Sequence, residues 1–204
     1  MKKDPTKETL EVYEKTAKHF SKIHPKRTDE TMLGILADFV VNLRGKKVLD
    51  IGCGSGRDSK YFLEKGLKVT GIDYSRTFIN IASKKVPNAK FLQMDMRKLE
   101  FPGNSFDGVW AEASFLHIPK NQARKTLIGI KRILKKDGLL HISVKKGEGE
   151  KFVKKDEYIG MAKFFSFYSP DEFRKLIESC GFNIIELIET KKDDTNWIHI
   201  LARK

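Results

Sequence analysis

Lys47-Val48-Leu49-Asp50-Ile51-Gly52-Cys53-Gly54-Ser55-Gly56-Arg57-Asp58-Ser59 is the stretch from which the fold follows. It opens as a short apolar run of β-formers, which reads as a buried parallel strand. Three glycines at alternate positions then turn the chain. From Arg57 to Glu64 the period becomes helical, with Tyr61, Phe62 and Leu63 among polar neighbours. Strand, glycine turn and helix follow one another in eighteen residues, 47–64. Glycines let the backbone come close to a ligand and adopt positive φ without a Cβ penalty. The helix N-terminus beyond them offers unpaired N–H groups to an anionic group such as a carboxylate.

Two nucleotide-binding turns are excluded by spacing. A dinucleotide fingerprint needs G-x-G-x-x-G/A, and counting from Gly52 puts Arg57, which is too large, at the third place. No Gly-Lys-Ser/Thr closes the turn, so it is not a P-loop either. What stands here is Asp-x-Gly-x-Gly-x-Gly, with the acid at the strand end.

Three further elements continue the pattern. Leu67–Asp73 reads as a second strand ending in an acid, where an α/β nucleotide fold places the carboxylate for both ribose hydroxyls. A carboxylate accepts two hydrogen bonds at once; the alternative is that Asp73 only caps the helix over 75–84. Phe91–Met96 is a third strand and its exit. Phe101-Pro102-Gly103-Asn104-Ser105 leads into the apolar strand Phe106–Glu112. An amphipathic helix is expected over 120–136, ended by Asp137-Gly138 before a fifth strand over 139–144. Ser169-Pro170 opens a last helix, and two strands close the chain, 182–189 and 196–202, around the turn 191–194. Ahead of the glycine turn lie two helices, 6–21 with Leu10, Tyr13, Ala17 and Phe20 on one stripe, and 28–43 capped by Asp29 or Thr28. The loop His24-Pro25-Lys26-Arg27 joins them.

Across residues 45–145, the glycine turn and the F-P-x-x-S-F-D approach to strand four resemble the class I S-adenosylmethionine-dependent methyltransferases, in the small-molecule type. The resemblance implies an α/β three-layer, Rossmann-like sandwich with a seven-stranded, mostly parallel sheet in the order 3-2-1-4-5-7-6 and an antiparallel last strand. It implies S-adenosyl-L-methionine as cofactor, held by Asp50, Gly52, Cys53, Gly54, Gly56, Arg57, Asp73, Tyr74, Asp95, Met96 and Ala111. Tyr74 is where relatives often stack on adenine; Asp95 would accept from the adenine amino group, and the Met96 N–H would serve a ring nitrogen. One domain over 1–204 is expected, with a helical lid (1–44), a cofactor core (45–145), a substrate-side insert (146–168) and a C-terminal helix and hairpin (169–204). In such a lid, Tyr13, His19, Phe20 and His24 would face a ligand; packing against the sheet edge is the alternative.

Displacement at a sulfonium methyl needs little activation, so a base is required only where the acceptor must lose a proton. His117 and Glu112, beyond strand four, are the candidates; each also has a plain structural reading. The chain has no Asn/Asp-Pro-Pro-Tyr/Phe motif after strand four and no cysteine near it, which argues against amino-directed nucleobase or glutamine enzymes and cytosine-C5 enzymes. A small-molecule acceptor is expected, in a pocket walled by Phe164, Phe165, Phe167 and Tyr168. The alternative is a wobble-uridine carboxymethyl tRNA acceptor, implied by a resemblance in layout to such enzymes, including an N-terminal helix ending in His-Phe. The net charge of +13 and the face of 120–136 with Lys120, Arg124, Lys125, Lys131, Arg132, Lys135 and Lys136 would suit its phosphates. A solvated lysine-rich surface explains the same charge. A third reading is a cofactor-binding regulator without activity. Two cysteines without a Cys or His at ligand spacing indicate neither a disulfide framework nor a metal site. No run approaches the ~18 apolar residues of a membrane span, and the N-terminus lacks a secretory segment. A cytoplasmic monomer is expected.

Overall fold

The computed structural model describes residues 4–23, 29–155 and 158–204. The expected loop His24-Pro25-Lys26-Arg27 and Thr28 lie outside them. Helices α1 (Pro5–Ile23) and α2 (Glu30–Asn42) precede strand β1 (Lys47–Ile51) and helix α3 (Arg57–Glu64). There follow β2 (Lys68–Asp73), α4 (Arg76–Lys85), β3 (Lys90–Gln93), β4 (Phe106–Ala111), a 3₁₀ turn (Phe115–His117), α5 (Lys120–Ile133) and β5 (Leu134–Lys145). The chain closes with a hairpin of β6 (Glu150–Lys154) and β7 (Ala162–Ser166), then α6 (Pro170–Ser179), β8 (Asn183–Lys192) and β9 (Thr195–Arg203).

Seven strands form one sheet in the order β3-β2-β1-β4-β5-β9-β8. The pairs from β3 to β5 are parallel; β9 runs antiparallel between β5 and β8. With the β6–β7 hairpin set aside, this is the expected 3-2-1-4-5-7-6 order.

Alternation along each strand builds two cores, one on each face. Val48, Val69, Trp110, Leu139 and Leu201 pack with Met32, Ile35, Leu36 and Phe39 of α2 and Phe62 of α3. Leu49, Ile51, Val109, Ala111, Leu140 and Ile142 pack on the other face with Leu127, Ile130 and Ile133 of α5 and Phe173 and Ile177 of α6. Phe39, Phe62 and Trp110 meet in tilted and edge-to-face contacts at 5.2–5.5 Å. Burial of each such side chain is worth about 1.5–3 kcal/mol. Asp29 caps α2 by accepting from the N–H groups of Thr31 and Met32, as one of the two proposed caps.

Three expectations need correction. α5 stops at Ile133, short of Asp137-Gly138, because the Asn104 and Ser105 N–H groups take the Arg132 and Ile133 carbonyls and draw the chain into β5. The insert expected over 146–168, given no strands from the sequence, holds a hairpin: β6 and β7 pair in register from Glu150↔Ser166 to Lys154↔Ala162. The stripe on α1 differs too. Thr6, Thr9, Val12, Thr16, Ala17 and Ser21 are its buried residues, whereas Leu10, Tyr13 and Phe20 border a cavity. No helix among the described residues is long and apolar enough to cross a membrane.

Candidate active site

At the carboxyl ends of β1, β2 and β4 lies a cavity of about 410 Å³. The glycine turn forms its floor. Gly52, Gly54 and Gly56 have φ of 71°, 53° and 82°, the left-handed region that side chains avoid. A Cβ on Gly52 would overlap Ser114, whereas one on Gly54 meets nothing within 4 Å. The first glycine lets β1 approach the loop after β4, and the second leaves its missing side chain's space open. The Gly52 and Cys53 N–H groups donate to the Ile72 carbonyl at 2.8 and 3.0 Å, which ties the turn to β2.

Asp73 stands at the end of β2 and lines the cavity. Its two oxygens accept from the Gly54 N–H (2.9 Å) and the Ser75 N–H (2.8 Å), one each. Each oxygen keeps a lone pair, so the carboxylate can still take two hydroxyl donors. Burial raises its pKa to about 6 against those stabilising bonds. Asp50 lies deeper, accepting from Ser59 Oγ at 2.6 Å. Burial, and then repulsion from Asp58, raise it to about 7. Asp58 itself accepts from Trp110 Nε1 and Arg57 Nε.

Of the residues proposed for the cofactor, Asp50, Gly52, Cys53, Gly54, Arg57, Asp73, Tyr74, Asp95 and Met96 line this cavity. Gly56 and Ala111 do not. Gly56 faces Val86, Phe91 and Ala82, and alternation turns Ala111 into the core opposite Trp110 and Glu112. Asp95 lines the cavity and is also bound by Arg97. Its oxygens accept from three donors of Arg97, the backbone N–H, Nε (shared by both oxygens) and Nη2, at 2.6–3.0 Å, which leaves room for one further donor. Arg97 reaches on to Asp4 Oδ2 (2.9 Å) and Gln122 Oε1 (3.0 Å), which ties Asp95 to the start of α1. Sequence reading missed Arg97, because its partners stand far away in the chain.

The opposite wall comes from α1, the 3₁₀ turn and β7. His117 Nδ1 lies 2.7 Å from the Phe164 carbonyl, which can only accept. Nδ1 therefore carries the proton, and Nε2 accepts from the Tyr13 hydroxyl at 2.8 Å. Burial drops the His117 pKa to about 3, so the ring is neutral at physiological pH. Tyr13 and His117 both line the cavity, as does Phe20; His19 is exposed and takes no part. Of the four aromatics expected as walls, only Phe165 reaches the cavity. Strand alternation gives β7 one cavity face, Lys163 and Phe165, while Phe164 packs on Phe152, Phe167 against Gly147 and Tyr168 on Phe173. Lys163 Nζ sits 4.0 Å from the Tyr13 ring centroid and 3.9 Å from that of Tyr158, within cation–π range.

α1 is fastened at both ends of this wall. Glu14 accepts from the Arg76 and Thr77 N–H groups and the Thr77 hydroxyl, at the α4 N-terminus, where a carboxylate is favoured. Thr9 Oγ1 accepts from the Phe164 N–H. Glu112, the second base candidate, lines the cavity but accepts from His141 Nε2 at 3.0 Å.

Residues 48–138 match the family model described as "Methyltransferase domain". The chain is 31% identical over 157 residues to the phosphoethanolamine N-methyltransferase of Plasmodium falciparum, covering 72% of this chain and 57% of that protein. It is 28% identical over 109 residues to the demethylmenaquinone methyltransferase of Renibacterium salmoninarum, covering 53% and 45%. The chain belongs to the class I S-adenosylmethionine-dependent methyltransferase family. It spans about half the length of the curated relatives it matches. Its fold is also that of 1,6-didemethyltoxoflavin-N1-methyltransferase from Burkholderia thailandensis, solved with 1,6-didemethyltoxoflavin and S-adenosylhomocysteine: TM-score 0.68, 23% identity, 84% of this chain and 75% of that one.

The cofactor of this methyltransferase family, S-adenosylmethionine, fits the residues present. Gly54 leaves open space where a side chain would stand, Asp73 keeps acceptor capacity for a diol, and Tyr74, Met94 and Met96 supply a polarisable edge to the same cavity.

Proposed function

We propose that this chain is a methyltransferase that methylates a small-molecule acceptor held beneath α1 and β7. Bound S-adenosylmethionine supplies an electrophilic sulfonium methyl, transferred by in-line displacement. Asp73 would hold the ribose hydroxyls, the turn 52–56 the amino-acid portion, and Tyr74 and Met96 the base. Carrying the reading is the Tyr13–His117 hydrogen bond, 2.8 Å long, on the same cavity as Gly54 and Asp73.

Neutral His117 has its Nδ1 proton committed to Phe164, so Nε2 is left to receive one. An acceptor hydroxyl or ammonium facing Tyr13 passes its proton to the phenol oxygen while the phenol proton moves to Nε2. Burial holds His117 near a pKa of 3, so it is a weak base and its help falls below the 10²–10⁴-fold typical of a base matched to the working pH. Closure by α1 excludes water and fixes the acceptor near the methyl, where orientation contributes up to about 7–11 kcal/mol. The substrates for which the two sequence relatives above are named, phosphoethanolamine and demethylmenaquinone, are both small molecules.

The basic face that suggested tRNA is largely engaged within the protein. Lys131 Nζ donates to the Gly181 carbonyl, Arg132 to those of Leu99 and Phe101, Arg124 to that of Ser179, and Lys135 and Lys120 pair with Asp107 and Glu172. Transfer of labelled methyl to a panel of small amines, alcohols and thiols, against bulk tRNA, tests the proposal. Label entering a small acceptor, and lost in Tyr13→Phe, is the expected result; incorporation into tRNA alone overturns it.

A further inference from the structure

Three side chains from three neighbouring strands meet on the sheet face toward α2. Glu112 follows β4, His141 lies in β5 and His199 in β9; the registers Trp110↔His141 and Ser143↔His199 set them on one side. The side chains of Glu112, His141 and His199 are 7%, 1% and 3% exposed. Glu112 Oε2 lies 3.0 Å from His141 Nε2 and 3.6 Å from His199 Nδ1, and the three atoms all fall within 4.8 Å of one another.

His199 Nδ1 is buried without a hydrogen-bond partner. Its other nitrogen, Nε2, is 3.0 Å from Thr190 Oγ1. Neither tautomer satisfies Nδ1. Protonated, it stands 3.6 Å from the Glu112 oxygen, beyond hydrogen-bond length. Unprotonated, with Nε2–H donating to Thr190, its lone pair faces a carboxylate with nothing between. A cation among the three atoms removes the conflict.

We propose that Glu112, His141 and His199 form a binding site for a divalent transition-metal ion. Two imidazoles and one carboxylate are a donor set suited to Zn²⁺ and its first-row neighbours. Donors about 2.0–2.2 Å from one ion stand roughly 2.9–3.5 Å apart at tetrahedral or octahedral angles, close to the two short separations here. The surroundings supply what metal-bound histidines need. Thr190 Oγ1 can accept from His199 Nε2–H, the arrangement that leaves the Nδ1 lone pair for an ion, and such outer hydrogen bonds orient metal-bound histidines. Trp110 stacks on His141 with ring centroids 3.8 Å apart and holds that ring in plane. Glu112 and His199 also line the large cavity, while His141 and His199 line a neighbouring one of about 10 Å³, room for one water. A three-ligand site opening on both sides has coordination positions left for water or for an oxygen of an acceptor. Sequence spacing conceals it: the three residues come from separate strands, and no pair falls at ligand spacing.

The test uses untagged protein stripped with a chelator, titrated with Zn²⁺ by calorimetry and with Co²⁺ by visible absorption, both without S-adenosylmethionine. One equivalent of Zn²⁺ should bind, raising the melting temperature by mass action. His199→Ala and Glu112→Gln should lose that binding at least tenfold, and Thr190→Val, which leaves all three ligands, should weaken it about 10–100-fold. Thr190→Val guards against a ligand variant that fails to fold. Absence of a saturable equivalent in the wild type overturns the site, as does unchanged binding in folded His199→Ala and Thr190→Val. Because the readout is metal binding alone, its failure leaves the methyltransferase reading untouched.

Discussion

Asp73 and His117 show how burial sets opposite charge preferences on the two walls of one cavity. Asp73 is raised to about 6, mainly by burial. A diol donating to the ionised carboxylate favours that form, so cofactor binding should release a proton between about pH 5 and 7 and weaken as pH falls through about 6. Calorimetry in buffers of different ionisation enthalpy reads that proton directly. Asp73→Ala should cost roughly 1.5–3 kcal/mol, a ten- to hundredfold loss of affinity; unchanged affinity would remove Asp73 from the site. For folding, the signs differ. A raised Asp73 pKa gives stability that is full below about 3.8 and lost as pH rises through about 6. His117, lowered to about 3 by burial, gives stability that is full above about 6.5 and lost as pH falls toward 3. His117→Asn should therefore flatten the acid side of the stability profile between those values. It should also lower turnover, by less than the 10²–10⁴-fold of a base matched to the working pH, while cofactor affinity stays near wild type. Parallel denaturant titrations and single-turnover rates separate the two effects.

Elements differ in how much of them the sequence makes legible. β1, the glycine turn and α3 are local, and their residues announce them: an apolar β run, φ-permissive glycines, then a helical period. The β6–β7 hairpin is not local in that sense. Glu150–Lys154 is charged and mostly exposed, so it lacks the alternation that marks a half-buried strand. Its pairing depends on β7, α1 and the 3₁₀ turn behind it. Arg97 with Asp4, and Tyr13 with His117, are likewise pairs that only the folded chain brings together. The glycine turn offers a prediction of its own. Gly52→Ala strains a φ of 71° and drives a methyl into Ser114, so a loss of about 1–3 kcal/mol from backbone strain alone is expected, plus the overlap. Gly54→Ala carries a similar φ penalty but no clash. Its methyl enters the cavity instead. Thermal melts should place Gly52→Ala well below Gly54→Ala, whereas Gly54→Ala should lose disproportionately in S-adenosylmethionine affinity. Equal melting temperatures would mean that the turn relaxes around both.

At the scale of the whole molecule the open question is what a net charge of +13 is for. If it serves phosphate contacts, affinity for the acceptor must fall steeply with salt, by about 10³ or more between 50 and 200 mM for six contacts. If the acceptor is a small molecule under α1, turnover should change little over that range. Charge reversal needs care in choosing positions. Lys135 pairs with Asp107 at 2.6 Å, and Asp107 also accepts from the Lys46 and Lys47 N–H groups; despite partial burial these bonds hold its pKa low. Lys135→Glu would set a carboxylate against that acid, and Lys131→Glu would lose the bond to the Gly181 carbonyl. Either would lower activity by disturbing the fold, whatever the acceptor. Lys125 and Lys136 are exposed positions on the same helix and its exit. Lys125→Glu with Lys136→Glu keeps the packing, removes two positive charges from the face and adds two negative ones. That double variant should retain wild-type turnover on a small acceptor, with the same flat salt dependence. A tenfold or larger loss, recovered at low salt, would mean that the basic face binds the acceptor and that the pocket reading is wrong.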